Sequence, residues 1–150
     1  MQVFWRLPYE PGVLKAVSRK NGQVVLTKEI RTAGAPARIE LIPDRKTIKA
    51  DGVDLSFVTV KVVDRNGILV PFADNLIKFE LTGEASIAGV DNGYQASHES
   101  FKGKQRKAWK GMALAIIQSK HIPLKQRPGR IVLKATSDNL PPASVVINAR

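Results

Sequence analysis

Apolar residues in this chain recur at every second position, in short runs separated by turn signals about every ten residues. LSFVTVKVVD sets Val58, Val60 and Val62 against Phe57, Thr59 and Lys61, and NLIKFELTG repeats the period with Ile77, Phe79 and Leu81. Successive side chains of a strand point to opposite faces, so this period predicts half-buried strands. ARIELIP, ASIAGV, AWKGMALAIIQS, GRIVLKATS and ASVVINA extend the series, and Asp64-Arg65-Asn66-Gly67 turns the chain back. Seven such runs after residue 36 predict an all-β, immunoglobulin-like antiparallel sandwich of about 100 residues. Helix is nearly absent: only 102–110 has helix-tolerant composition, bracketed by Gly103 and Gly111.

The first 34 residues read differently. VLKAVSRK and QVVLTKEIRTA flank Asn21-Gly22, a pair that supplies the positive φ needed at both centres of a type I′ turn. A lone hairpin is marginal in water, so residues 1–34 read as the tail of a preceding β-sandwich domain, with the immunoglobulin-like domain at 35–150. Leu14 and Ala16 share one strand face and Val13 and Val17 the other, with Val24, Leu26 and Ile30 on the facing strand. Severed strands of this kind expose unpaired backbone groups, and strand-mediated self-association is expected.

Composition narrows the field. The 150 residues carry a formal charge of +11. Between Glu99 and Asp138 lie ten cations (Lys102, Lys104, Arg106, Lys107, Lys110, Lys120, Lys125, Arg127, Arg130 and Lys134) and no acid, while the remainder is nearly balanced. Such a stripe suits a polyanion or an acidic protein neighbour equally well. No nucleic-acid motif accompanies it, and a protein neighbour is the expectation. No apolar run reaches the roughly 18 residues of a membrane span, and MQVFWRLPYEPG lacks the order of a signal peptide. Without cysteine, disulfide and thiolate chemistry are excluded.

Candidate chemistry is thin. His98 and Glu99 are adjacent, so on an extended chain they point apart rather than converge as base and orienting carboxylate. His121 is too distant in sequence to suggest a metal site with His98, and Asp91-Asn92-Gly93 lacks the alternating oxygens of a calcium loop. Ser97, His98 and Asp91 lack any nucleophile-elbow pattern. No cofactor is implied. The aromatics of the long 89–111 segment are more telling. Tyr94, Phe101 and Trp109, with Arg106, suit either contact with a glycan or packing against another domain. Trp109, next to the apolar MALAII run, is expected to be buried.

Longer segments carry a resemblance. LPYEPGVLKAVSRKNGQVV with RTAGAPARIEL, then DRKTIKADGVDLSFVTVKVVDRNG, and then GVDNG, SHESFKG, QRKAWKG and LAIIQS resemble glycoside hydrolase family 2, particularly β-galactosidases of the Bacteroides type. SKHIPLKQRPGRI departs from the family pattern in length. The resemblance implies a parent enzyme, periplasmic or secreted, that hydrolyses terminal β-galactosides with two glutamates on an upstream (β/α)₈ barrel. A retaining pair sits about 5–5.5 Å apart across the glycosidic bond. None of Glu10, Glu29, Glu40, Glu80, Glu84 or Glu99 falls in a matching motif, so no catalytic residue is carried over. The chain is then expected to be a non-catalytic accessory module that packs on upstream domains of its own polypeptide. The alternatives are a carbohydrate-binding module built on the 89–111 loop and, behind it, a basic nucleic-acid binder.

Overall fold

The computed structural model describes residues 4–121 and 129–150, and every regular element among them is a strand. The chain divides into two units, Met1–Ala33 and Gly34–Arg150.

The first unit is an antiparallel hairpin of β1 (Val13–Lys20) and β2 (Gln23–Arg31). Its turn places Asn21 at φ 50° and Gly22 at φ 80°, as a type I′ turn requires. Leu14 faces Ile30 and Ser18 faces Leu26, while Lys15 reaches Glu29 at 3.3 Å on the opposite side. Every residue of both strands is exposed, the apolar ones included.

The second unit is a sandwich of two sheets. One, in order β3 (Arg38–Pro43), β5 (Leu55–Val63), β9 (Met112–Ser119), β7 (Ala85–Asp91), is wholly antiparallel. The other runs β4 (Thr47–Ile48), β11 (Leu140–Ala149), β10 (Arg130–Ser137), β6 (Leu76–Thr82), β8 (Gln105–Lys107). It is antiparallel except where β4 meets β11 in parallel. All seven expected strands are present. The two shortest, β4 and β8, have too few residues to display a period and join as edge strands. Residues 102–110 form a turn and β8 rather than helix, because the open edge of β6 offers their backbone ladder partners at Leu76, Ile77 and Lys78.

The alternation falls as the sequence predicts. Val58, Val60 and Val62 of β5, with Ala113, Ala115 and Ile117 of β9, are buried, and so are Ile77 and Phe79 of β6 and Ile131, Leu133 and Ala135 of β10. Each fully buried Val, Ile or Leu contributes about 1.5–3 kcal/mol relative to exposure, so this double layer outweighs any surface pairing.

One buried carboxylate organises the end of the sandwich where β5 exits. Asp64 accepts N–H bonds from Gly34 on Oδ2 (2.8 Å) and from Asn66 and Ile68 on Oδ1 (2.8 and 2.9 Å), closing the expected Asp-Arg-Asn-Gly turn. Donation by Gly34, then by Ile68, outweighs desolvation and holds this carboxyl below its ordinary value, with Asn66 and the Arg38 charge adding to the effect. A depressed folded pKa means stability that is fully present above the ordinary aspartate range and lost as pH falls through the folded value. Asp64→Asn should therefore lower the thermal midpoint at pH 7 and flatten its dependence on pH below about 4. Parallel midpoint curves for the two proteins across that range would refute the assignment.

Candidate functional site

The 89–111 segment has little regular structure, yet it is fastened along its length. Asp91 ends β7, and its Oδ1 accepts the N–H of Asn92 (2.7 Å) and Gly93 (3.3 Å). Asn92 bridges the two ends of the loop: its Oδ1 accepts the Tyr94 N–H (3.0 Å) and its Nδ2 donates to the Lys107 carbonyl (3.0 Å). Val90 donates to the Phe101 carbonyl (2.8 Å), and Phe79 to that of Lys104 (2.7 Å). Such an accounting of backbone groups is what separates an ordered loop from a loose one.

Arg106 is the centre of this network. Directly opposite the core residue Ile77, it points between the sheets, and its side chain is 0 % exposed. Nη1 donates to the Glu99 carbonyl (2.9 Å) and Nη2 to Asn92 Oδ1 (3.1 Å), with Asp91 Oδ1 at 3.4 Å. The Glu99 carboxylate lies 3.7 Å from Nε, which has no hydrogen bond of its own. The guanidinium also stands 4.9 Å from the centre of the Phe101 ring, within cation–π range. The planar fork lets one side chain hold both limbs of the loop. This corrects the expectation that Arg106 is a surface contact: it cannot bond a sugar or a partner without the loop opening.

Trp109 is corrected too. It is 40 % exposed and stacks on Tyr94, itself 42 % exposed, with ring centres 4.3 Å apart and planes at 26°. Lys110 Nζ reaches over the indole at 5.8 Å. AWKGMALAII does not run as one strand. Instead, Trp109-Lys110-Gly111-Met112 is a two-residue turn, with Trp109 and Met112 exchanging N–H···O bonds (2.8 and 3.0 Å) and φ of 51° and 75° at its centre. Phe101 keeps 58 % of its surface in solvent. Three of the four expected contact residues are therefore outside, and the fourth holds the loop that carries them.

His98 is exposed, and Glu99 is taken up by Arg106 and by the Lys107 N–H (3.3 Å), as a salt-bridge partner would be. Among the described residues, no group of three or more His, Asp or Glu side chains is placed to hold a metal. The acid-free run from 100 to 137 is not an acid-free surface. Lys134 pairs with Glu80 (3.2 Å) across β10 and β6, and Lys120 lies 3.8 Å from Glu84. Lys125 and Arg127, with most of the SKHIPLKQRPGRI stretch, lie outside the described residues.

The two sheets, with one long, internally bonded aromatic loop, define an all-β sandwich domain. Residues 39–146 match the model of the glycoside hydrolase family 2 C-terminal domain 5. The chain belongs to that family. It is 48 % identical over 149 residues to a β-galactosidase of Bacteroides ovatus, covering 99 % of this chain and 17 % of that protein. A glycosyl hydrolase family 2 member from Bacteroides cellulosilyticus superposes with a TM-score of 0.89 at 40 % identity, over 97 % of this chain and 18 % of the other. A β-glycosidase from Bacteroides vulgatus gives 0.84 at 26 % identity, over 95 % and 18 %. The chain thus spans less than a fifth of the length of these relatives, and it is a C-terminal domain, not the catalytic barrel.

Proposed function

We propose that this chain is a non-catalytic packing and docking module of a family 2 β-galactosidase, periplasmic or secreted, whose barrel hydrolyses terminal β-galactosides of glycans. The observation that carries the reading is the 48 % identity to the Bacteroides ovatus β-galactosidase along almost the entire chain. A retaining mechanism needs two carboxylates about 5–5.5 Å apart across the scissile bond, and the family places them on a different domain. The 150-residue chain is therefore expected to give no turnover of a chromogenic β-galactoside, while the longer polypeptide of the same reading frame hydrolyses it. Turnover by the chain that survives repurification, or none by the longer protein, would sink the reading.

The hairpin of β1 and β2 is read as part of a preceding sandwich domain. Its exposed Leu14, Leu26 and Ile30 favour pairing with other chains when that domain is missing. Amide exchange over residues 13–31 should be faster than over 55–63 in dilute solution and slow as protein concentration rises. Equal protection in a demonstrated monomer would count against it.

The stacked, half-exposed Tyr94–Trp109 pair favours a second reading, a weak carbohydrate-binding module. One indole face is already taken by Tyr94 and Lys110 reaches over the ring, so little flat aromatic surface is left for a sugar. Millimolar glycan affinity abolished by Trp109→Ala would promote this reading over the first.

A further inference from the structure

The two outward faces of the sandwich differ in kind. On the β4-β11-β10-β6-β8 sheet, the ladder lines up Lys78 with Thr136 and Glu80 with Lys134 and Ser144, all pointing away from the core. That face is wet. On the β3-β5-β9-β7 sheet, the outward positions include Ile42 beside Thr59 and Leu114, and Phe57 beside Ile116. Met112 follows on β9, and Trp109 lies on its side across the turn, with Tyr94 stacked beyond. Ile42, Phe57, Met112, Tyr94 and Trp109 are all exposed large side chains. They form a contiguous apolar band rather than scattered singles, and such bands mark interaction sites.

We propose that this band is the docking face for another domain of the same polypeptide, one apolar at its centre and acidic at its margin. The proposal rests on the module reading above and names the surface and its occupant. Three observations select that occupant. The relatives are more than five times as long as this chain, so other domains are present at tethered, roughly millimolar effective concentration, and a modest patch suffices to hold them. A second copy is disfavoured at this face, whatever the hairpin does, because a like patch would bring its own Lys61 and Lys110 against the same cations. Lys61, cross-strand from a Glu40 that is already bonded to Arg38 (2.8 Å), and Lys110, over Trp109, form no ion pair among the described residues, and carboxylates opposite would complement them.

The chain has no cysteine, so accessibility is readable site by site. Phe57→Cys and Met112→Cys probe the band, and Lys78→Cys on the other sheet is the control. Maleimide labelling is followed by mass spectrometry of each site's peptide, in the 150-residue chain and in the longer polypeptide. The expected result is labelling at 57 and 112 at least about tenfold slower in the longer polypeptide, with position 78 unchanged. Equal rates at 57 and 112 in both proteins overturn the proposal. So does slowing in the 150-residue chain as its own concentration rises, which would make a second copy the occupant. Protection of the 150-residue chain by added galacto-oligosaccharide also overturns it, in favour of sugar. The β-galactoside assay on the longer polypeptide is read separately. Protection without hydrolysis leaves the docking face standing and removes the substrate reading, and hydrolysis without protection does the reverse.

Discussion

Gly111→Ala is expected to lower the stability of the sandwich by about 2–5 kcal/mol, seen as a lower denaturant midpoint with an unchanged slope. Gly111 holds φ 75° at the second centre of the Lys110-Gly111 turn, where an L side chain costs about 1–2 kcal/mol. A Cβ there would also fall inside contact distance of the Val70 carbonyl oxygen and press on Leu69, an overpacking cost of about 1–3 kcal/mol. The backbone has no easy retreat. Gly111 donates to the Ala73 carbonyl (3.0 Å) and accepts from the Val62 N–H (2.8 Å), so it is pinned from both sides. Lys110→Gly is the control: at φ 51° it removes strain and should change stability by less than about 1 kcal/mol. A Gly111→Ala protein within about 0.5 kcal/mol of the parent would mean that the 69–73 segment yields, and the pinning argument fails.

Arg106→Met should cost about 2–4 kcal/mol and loosen the loop. Removing one partner of a buried charge pair typically costs about 3–5 kcal/mol. The figure is discounted because the Asp91 and Glu99 side chains remain 42 % and 34 % exposed and water can replace part of what they lose. Methionine keeps most of the volume, so the loss reports hydrogen bonds rather than a cavity. With the Glu99 carbonyl left without its donor and Asn92 Oδ1 keeping only the Tyr94 N–H, the Tyr94–Trp109 stack should loosen, and faster amide exchange over 92–101 should accompany the lower midpoint. Arg106→Lys should recover only part of the loss, since an ammonium cannot span both limbs of the loop as the fork does. Full recovery by lysine would show that charge alone mattered.

The strands were readable because their signal is local. A strand in a sandwich has one face against the core, so Val58, Val60 and Val62, or Ile131, Leu133 and Ala135, announce their face without knowledge of any partner. The same holds for Asn21-Gly22, whose positive φ values follow from residue type. Lys110-Gly111 makes the same turn with a residue that does not advertise it, and that turn is what sets Trp109 outside the strand. The MALAII run did carry a further signal. It is apolar on both alternating faces, whereas a strand with one wet face should not be, and its outward residues Met112, Leu114 and Ile116 belong to the band proposed for docking.

By itself, then, the sequence determined the all-β class, the seven long strands, the break near Gly34 as a change of pattern, and the family to which the domain belongs. Those follow from period, turn chemistry and long runs of matching residues. Only the tertiary structure decided that Arg106 is buried, that Tyr94 meets Trp109, and that Glu80 answers Lys134 in a run of cations with no acid nearby in sequence. The first and last depend on strands β6, β8 and β10 coming together across tens of residues, and the stack depends on the loop folding back on itself. Burial and pairing are properties of that neighbourhood, and no local pattern of residue types encodes them.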